Sequence, residues 1–363
     1  MADKVRLGLI GASVSGTWSA RTHLPVLKSH PDIELTAVCT TNAASAEAAR
    51  VAYGARLAFD DFNAMAASPE IDAVAVVVRV PSHYAPTKSA LLAGKHVYCE
   101  WPLGKTTAEA EELSALAQEK GLDHAVGLQA RAHPSFLYLK ALIEDGYVGE
   151  IMSVTVSLMR DGVLARPKNR TWQRDVELGA NTLTIPNGHT LDAMRFVVGD
   201  FKRLSAVVST QAKQWRATDT GEILDVTSPD NVLISGELEN GAVASLHVAT
   251  VPFASSGYRM EIYGREGTLI AEGADSPQLC GISLYGARGT NTLTRLELPA
   301  SAVCARNGLS EEAMFIDRMY SQFARAIRGE TNHLPTFKTA ADLHRIIDLI
   351  RQSADIHHGV QCL

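Results

Sequence analysis

The segment Gly11-Ala12-Ser13-Val14-Ser15-Gly16, set directly after the apolar run 5–10, constrains what this chain can fold into more than any other feature. A short apolar run that ends in a Gly/Ser-rich turn and continues into an amphipathic stretch reads as strand, phosphate loop and helix. Gly11, Ser13 and Gly16 fall on the three fingerprint positions of a GxGxxG loop, with serine in the middle. The middle glycine normally lets the backbone approach a pyrophosphate closely, so Ser13 implies a slightly displaced phosphate or a hydroxyl bonded to it. With Val14 in the same turn, the loop is expected to hold a dinucleotide.

The same grammar recurs downstream. Buried-strand patterns at 33–40, 73–78, 96–99 and 124–128 alternate with helical stretches such as 43–53, 87–93 and 108–120. This alternation predicts a doubly wound parallel sheet. Thr106 and Glu109 have the spacing of a capping box, which marks a helix start just after Pro102. Beyond about residue 150, strand patterns come in close succession, at 152–159, 204–210, 232–238, 242–248, 258–263 and 268–272. Asn240-Gly241 between two of them favours a type I′ hairpin. The expectation is an α/β chain. An N-terminal Rossmann domain over residues 1–130 is followed by an α+β domain over 131–363 with a large, mostly antiparallel open sheet. Helical patterns at 310–328 and 339–353 are expected to pack back on one of the sheets.

At 363 residues the chain exceeds the ~250–300 at which one core stops growing, in keeping with two domains. No run approaches the ~18–20 apolar residues of a membrane span and the first residues lack a signal-peptide pattern, so the expected location is the cytoplasm, with no membrane partner. Five dispersed cysteines without a CxxC pair argue against a zinc ribbon or a disulfide framework. A net charge of -6 without Lys/Arg blocks argues against direct nucleic-acid binding. The tandem His357-His358 has no ligand set at metal spacing, and no metal is expected.

At the end of the second strand, where a carboxylate would hold a ribose 2′-hydroxyl, stand Cys39, Thr40, Thr41 and Asn42. Nothing there repels a 2′-phosphate, which favours NADP; no adjacent arginine clamps one, so NAD remains possible. Val80, Pro81 and His83 follow a central strand and are expected to shape the nicotinamide pocket, unless the proline marks only a tight turn.

Val80-Pro81-Ser82-His83, Gly146-Tyr147-Val148-Gly149-Glu150-Ile151 and Ile262-Tyr263-Gly264-Arg265-Glu266-Gly267-Thr268 together resemble the glucose-fructose oxidoreductase, inositol dehydrogenase and rhizopine-catabolism (Gfo/Idh/MocA) family of NAD(P)-dependent sugar oxidoreductases. The resemblance implies a carbohydrate-like substrate and a homodimer or homotetramer formed through the open sheet. Where the family has Glu-Lys-Pro, this chain has Glu100-Trp101-Pro102, and Ile185 stands four residues before His189 in place of an aspartate. The Glu-Trp pair, the Gly-His-Thr segment and Gly127-Leu128-Gln129-Ala130-Arg131 look like the branch that contains the fungal galactose-regulon repressor, which binds NADP without known turnover.

Oxidising a hydroxyl by hydride transfer needs a group to take its proton, and His189 is the candidate, although a hydrogen-bonded core histidine is the alternative. Asp192, three residues on, shares its helical face and either orients His189 or meets substrate. Glu100 either fixes the nicotinamide ribose or caps local backbone; Trp101 either stacks on a flat ring or packs at a domain interface. Gln129 and Arg131 fall where the family contacts cofactor or substrate, or else make an interdomain hydrogen bond, and Arg160 and Trp172 belong either to a substrate wall or to a solvated loop. Three functions stay open: a dehydrogenase or reductase, a cofactor-binding sensor without net turnover, and an enzyme that uses transient redox for a non-redox reaction.

Overall fold

The computed structural model describes residues 4–14, 16–299 and 308–356, so Cys304, Cys362 and the His357-His358 pair lie outside the described residues. Two compact units emerge, one of residues 1–132 with 305–344 and the other of 133–304 with 345–363.

The first unit is built on six strands: β1 Val5–Ile10, β2 Ile33–Cys39, β3 Leu57–Phe59, β4 Ala73–Val76, β5 His96–Glu100 and β6 His124–Gly127. All pair in parallel in the order β3-β2-β1-β4-β5-β6, the doubly wound arrangement with its crevice where the order reverses beside β1. β1 and β4 are apolar and buried along nearly their whole length, as strands covered on both faces must be. Helix Ala43–Tyr53 starts at Asn42, whose Oδ1 accepts the Ser45 N–H at 2.9 Å. The anticipated capping box is realised with a shift of one residue: Thr106 Oγ1 accepts the Glu109 N–H at 3.2 Å, and Glu109 reaches back to the Lys105 N–H at 2.6 Å. Helix Glu311–Ile327 closes this core with Ala313, Ile316, Met319, Tyr320, Phe323 and Ala324, an apolar stripe at helical spacing.

The second unit adds β7 Ile151–Arg160, β8 Ala165–Arg166, β9 Phe201–Ser209, β10 Gln214–Ala217, β11 Ile223–Asp225, β12 Asn231–Leu238, β13 Val243–Thr250, β14 Gly257–Gly264, β15 Gly267–Gly273, β16 Ser283–Arg288 and β17 Thr294–Leu296. Eight of them form one sheet, β17-β16-β15-β14-β7-β13-β12-β9, antiparallel except for the β7–β13 pair. Alternation along β7 turns Val154, Val156 and Leu158 inward, toward the side covered by helices Pro134–Glu144 and Pro186–Val198. β8, β10 and β11 make a separate small sheet that the strand patterns did not disclose.

The β12–β13 hairpin departs from the expected turn. The Leu238 N–H bonds to Ala242 O at 2.8 Å, which leaves a three-residue loop, and Gly241 alone takes a positive φ of 88°. Asn240 keeps a negative φ because its side chain is employed elsewhere: Oδ1 accepts the Ala242 N–H and Nδ2 donates to Val198 O. That is the longer bulged hairpin, with glycine at its left-handed position.

Candidate functional site

In the first unit, the loop after β1 is fixed at both ends. The Gly11 N–H donates to Cys39 O at 2.9 Å, and with φ at 94° an added Cβ would lie 2.1 Å from Val77 O. Glycine is therefore obligatory at this position for two separate reasons. Ser13 turns back to bond Gly11 O through its N–H, and its own carbonyl accepts the Tyr53 hydroxyl at 3.0 Å. Gly16 takes φ 62° in open space, and Val14 is half-exposed. The backbone N–H groups of Val14, Gly16 and Thr17 have no acceptor among the described residues. Such a run of uncommitted donors is the chemistry that a diphosphate requires, so the loop fits the dinucleotide implied by the sequence.

At the end of β2, Thr40 Oγ1 lies 2.6 Å from Ser45 Oγ, and Asn42 caps the following helix, while Thr41 is exposed. Val80 is buried in the 3₁₀ turn Val80–Ser82 and Pro81 is exposed. His83 is buried with both ring nitrogens against backbone carbonyls, Nδ1 2.7 Å from Pro102 O and Nε2 3.0 Å from Val78 O. Burial pushes its imidazole below the usual histidine range, although the carbonyl contacts favour the charged ring.

The densest polar cluster of this unit surrounds Glu100, at the end of β5 and 8% exposed. Trp18 Nε1 donates to Oε2 at 3.0 Å and the Tyr98 hydroxyl to Oε1 at 3.0 Å. Gln129 Nε2 lies 3.2 Å and 3.1 Å from the two oxygens, so that the amide must present its NH₂ side. His23 Nε2 is 3.2 Å from Oε1, close but without hydrogen-bond alignment, and its Nδ1 is 2.7 Å from the Tyr320 hydroxyl. Next to the buried carboxylate, the Tyr98 phenol is held far above its ordinary range, first by burial and then by the Glu100 charge. The carboxylate also needs room: a Cβ on Gly127 would lie 2.5 Å from Glu100 Oε1. Trp101 is buried, with its ring 4.8 Å from that of His344. Arg131 is half-buried on the 3₁₀ turn Gln129–Ala132.

The second unit has a polar cluster of its own. In and before the first turns of helix Pro186–Val198, the residues Asn181, Thr182, Thr184, Asn187, His189, Thr190 and Asp192 are all buried. Proline at the first helical position and Ile185 at the N-cap start the helix without a side-chain cap. Asn181 Oδ1 instead organises the approach, accepting the N–H groups of Leu183 and Thr184 at 3.0 and 3.3 Å. Three buried atoms have no hydrogen-bond partner among the described residues: Asn181 Nδ2, Asn187 Oδ1 and Thr190 Oγ1. Buried polar groups are nearly always satisfied, so three within ten residues mark a turn that can take up a water or a polar ligand. Asp192 follows His189 by three residues on the same helix.

Further along this unit, Arg160 is held by Asp275 through two contacts of 2.5 and 3.1 Å, and Trp172 is half-buried in the 3₁₀ stretch Lys168–Arg174. The sequence pattern marks Glu100 and Gln129 as separate candidates, and here they meet. It gives no sign of Trp18, His23 and Tyr98 around them, or of Asn181 and Asn187 near His189. Gly127, a glycine at a strand end beside Gln129, does carry a local signal. Among the described residues, no group of three or more His, Cys, Asp or Glu side chains is arranged to hold a metal ion, and no helix is long and apolar enough to cross a membrane.

Residues 5–128 match the family described as "Oxidoreductase family, NAD-binding Rossmann fold", and residues 134–273 match "Gal80p, C-terminal domain". The dehydrogenase aclE of Aspergillus oryzae is 28% identical over 98% of this chain and 97% of its own. The galactose/lactose metabolism regulatory protein GAL80 of Kluyveromyces lactis is 28% identical over 77% of this chain and 66% of its own. Among solved structures, levoglucosan dehydrogenase in complex with NADH and L-sorbose shares the fold at a TM-score of 0.84, with 21% identity over 98% of this chain and 97% of that one.

Proposed function

Because residues 5–128 match the NAD-binding Rossmann fold of the oxidoreductase family and the dehydrogenase aclE is similar along nearly the whole chain, we propose that the protein is a Gfo/Idh/MocA oxidoreductase that transfers a hydride between NADP and a sugar, polyol, glycoside or related carbonyl compound. The observation that carries this reading is the buried polar turn around His189. Its unpartnered Asn181 Nδ2, Asn187 Oδ1 and Thr190 Oγ1 supply both donors and acceptors, which is what a ligand rich in hydroxyl groups satisfies. The dehydrogenase aclE and the levoglucosan dehydrogenase bound to NADH and L-sorbose point the same way.

In this reading Gly11, Ser13, Val14 and Gly16 hold the diphosphate, and Thr40, Thr41 and Asn42 face the adenosine ribose. The absence of a carboxylate there supports a preference for NADP, with NAD as the weaker ligand. Val80, Pro81 and His83 line the nicotinamide side, with His83 as the buried post behind it. Glu100 and Gln129 present a preorganised polar edge toward the nicotinamide ribose. Trp101, buried against His344, acts as a wall. When bound, the nicotinamide accepts or supplies the hydride. His189 takes the proton of the reacting hydroxyl, or returns it during reduction; Asp192 orients His189; and Arg131, Arg160 and Trp172 border the substrate. The open face of the eight-stranded sheet exposes Val207, Leu233, Val243 and Tyr263, which supports a homodimer or homotetramer that covers it.

A second reading, a cofactor-binding regulator without net turnover, is favoured by the Gal80p C-terminal domain match and by tryptophan where the family lysine is expected. Tryptophan fluorescence titration with NADPH and NADH tests the part common to both. Saturable NADPH binding, tighter than NADH and lost in Gly11→Ala, is the expected result; no binding of either nucleotide overturns both readings.

A further inference from the structure

The small sheet of the second unit contains a cation that no carboxylate among the described residues neutralises. Arg166, on β8, pairs in register with Ala217 of β10, and its guanidinium lies over the ring of Trp215, 4.4 Å from the centroid. Trp215 is 4% exposed. No carboxylate among the described residues is within ion-pair reach of Arg166, in contrast to Arg160, which is bound by Asp275. Its one side-chain acceptor among them is a neutral amide: Gln173 Oε1, at 3.5 Å from Arg166 Nη1. The same oxygen is 3.4 Å from Arg170 Nη2, so two guanidinium groups converge on a single uncharged atom. Two further donors in the stacked pair, Arg166 Nε and Trp215 Nε1, are buried with no acceptor among the described residues.

Arg166 is half-buried with its Nε shut off from solvent; a cation drawn out of water is costly unless paired, and two like charges drawn together add to that cost. The strain is visible in Arg166, whose guanidinium is pushed down to about 10, first by burial and then by the charges of Arg170 and Arg160. Stacking on Trp215 offsets part of the cost, but it leaves the in-plane Nε donor without an acceptor among the described residues. An oxyanion answers every one of these deficits, because its oxygens match the planar guanidinium fork and its charge cancels the repulsion.

We propose that Arg166, Arg170, Gln173 and Trp215 form a binding site for an oxyanion, the carboxylate or phosphate of a small ligand, which sits between the two guanidinium groups. The site belongs to the second unit alone and does not depend on turnover. If the chain acts on a sugar, the proposal makes an acidic sugar the matching substrate class.

Isothermal titration calorimetry of the full chain at constant ionic strength tests it, with inorganic phosphate, D-glucuronate and neutral D-glucose as probes. Saturable binding of phosphate or glucuronate, with none of glucose, is the expected result, and the tighter anion tells which source the site serves. Removing one charge-assisted contact by Arg170→Gln, an exposed position, weakens binding about tenfold or more. Arg166→Gln abolishes it. If Arg166→Gln does not fold, Arg170→Gln carries the test alone. The proposal is overturned if neither anion binds, or if either binds equally well to Arg170→Gln, since binding at the nucleotide loop would be indifferent to that change.

Discussion

Glu100→Gln tests whether the cluster at the end of β5 is held by a charged acceptor. The change preserves shape, so no cavity or overpacking contributes. The carboxylate receives Trp18 Nε1 and one Gln129 contact on Oε2, and the Tyr98 hydroxyl and a second Gln129 contact on Oε1. An amide offers one oxygen, so one side of this arrangement becomes donor against donor. Losing two hydrogen bonds to a charged group at ~1.5–3 kcal/mol each gives about 3–6 kcal/mol. Gln129 Oε1 is buried without a partner among the described residues and can accept from the new amide, which returns about 1 kcal/mol. The net expectation is a loss of about 2–5 kcal/mol in urea unfolding of the cofactor-free protein, together with weaker NADPH binding. A loss under about 1 kcal/mol would refute the reasoning, since surface substitutions alone reach about half of that.

Gly11→Ala combines a left-handed backbone with a Cβ inside Val77 O, so it should cost about 2–5 kcal/mol and abolish nucleotide binding, as read by melting and fluorescence titration. Gly127→Ala meets only the Glu100 and Gln129 side chains, and a milder loss of about 1–3 kcal/mol is expected, with the unfolding midpoint as readout. Thr190→Val removes a buried hydroxyl that has no partner among the described residues; stability should rise by about 1 kcal/mol while substrate KM increases, and a stability loss would contradict the assignment. Burial holds His83, His96 and His124 below the ordinary histidine value in the folded chain. The unfolded chain therefore takes up protons first as pH falls below ~6.5, and stability should fall by up to ~1.4 kcal/mol per pH unit for each histidine, with a plateau above ~6.5. Denaturant midpoints across that range check the direction, and a midpoint that rises on acidification would contradict it.

What the sequence disclosed was whatever rests on local pattern. The run 5–10 and the helix 43–53 have the expected bounds because a strand apolar but for Arg6 and a capped, alanine-rich helix need no tertiary context. β3 escaped notice because it has three half-buried residues, too few to show a period. The Asn240-Gly241 pair announced a hairpin but not its loop length, since the choice depended on Asn240 reaching Val198 O, forty-two residues away. For the candidate site, Glu100 and Gln129 were legible from their places at strand ends. His23 and Tyr320 were not: they are 297 residues apart and meet only because helix Glu311–Ile327 packs against helix His23–Leu27. The orphaned atoms near His189 were likewise invisible, because whether a polar atom has a partner is a property of packing.

Hydride transfer to or from NADP, with His189 as the acid-base group, is the claim on which the functional reading stands. Nicotinamide absorbance, followed with a panel of keto-sugars, aldehydes and sugar acids for wild type and His189→Ala, tests it most directly. The expected result is turnover by the wild type that falls at least ~100-fold in the variant while NADPH affinity is retained. Tight NADPH binding with no absorbance change on any substrate would contradict it and leave the regulator as the better reading.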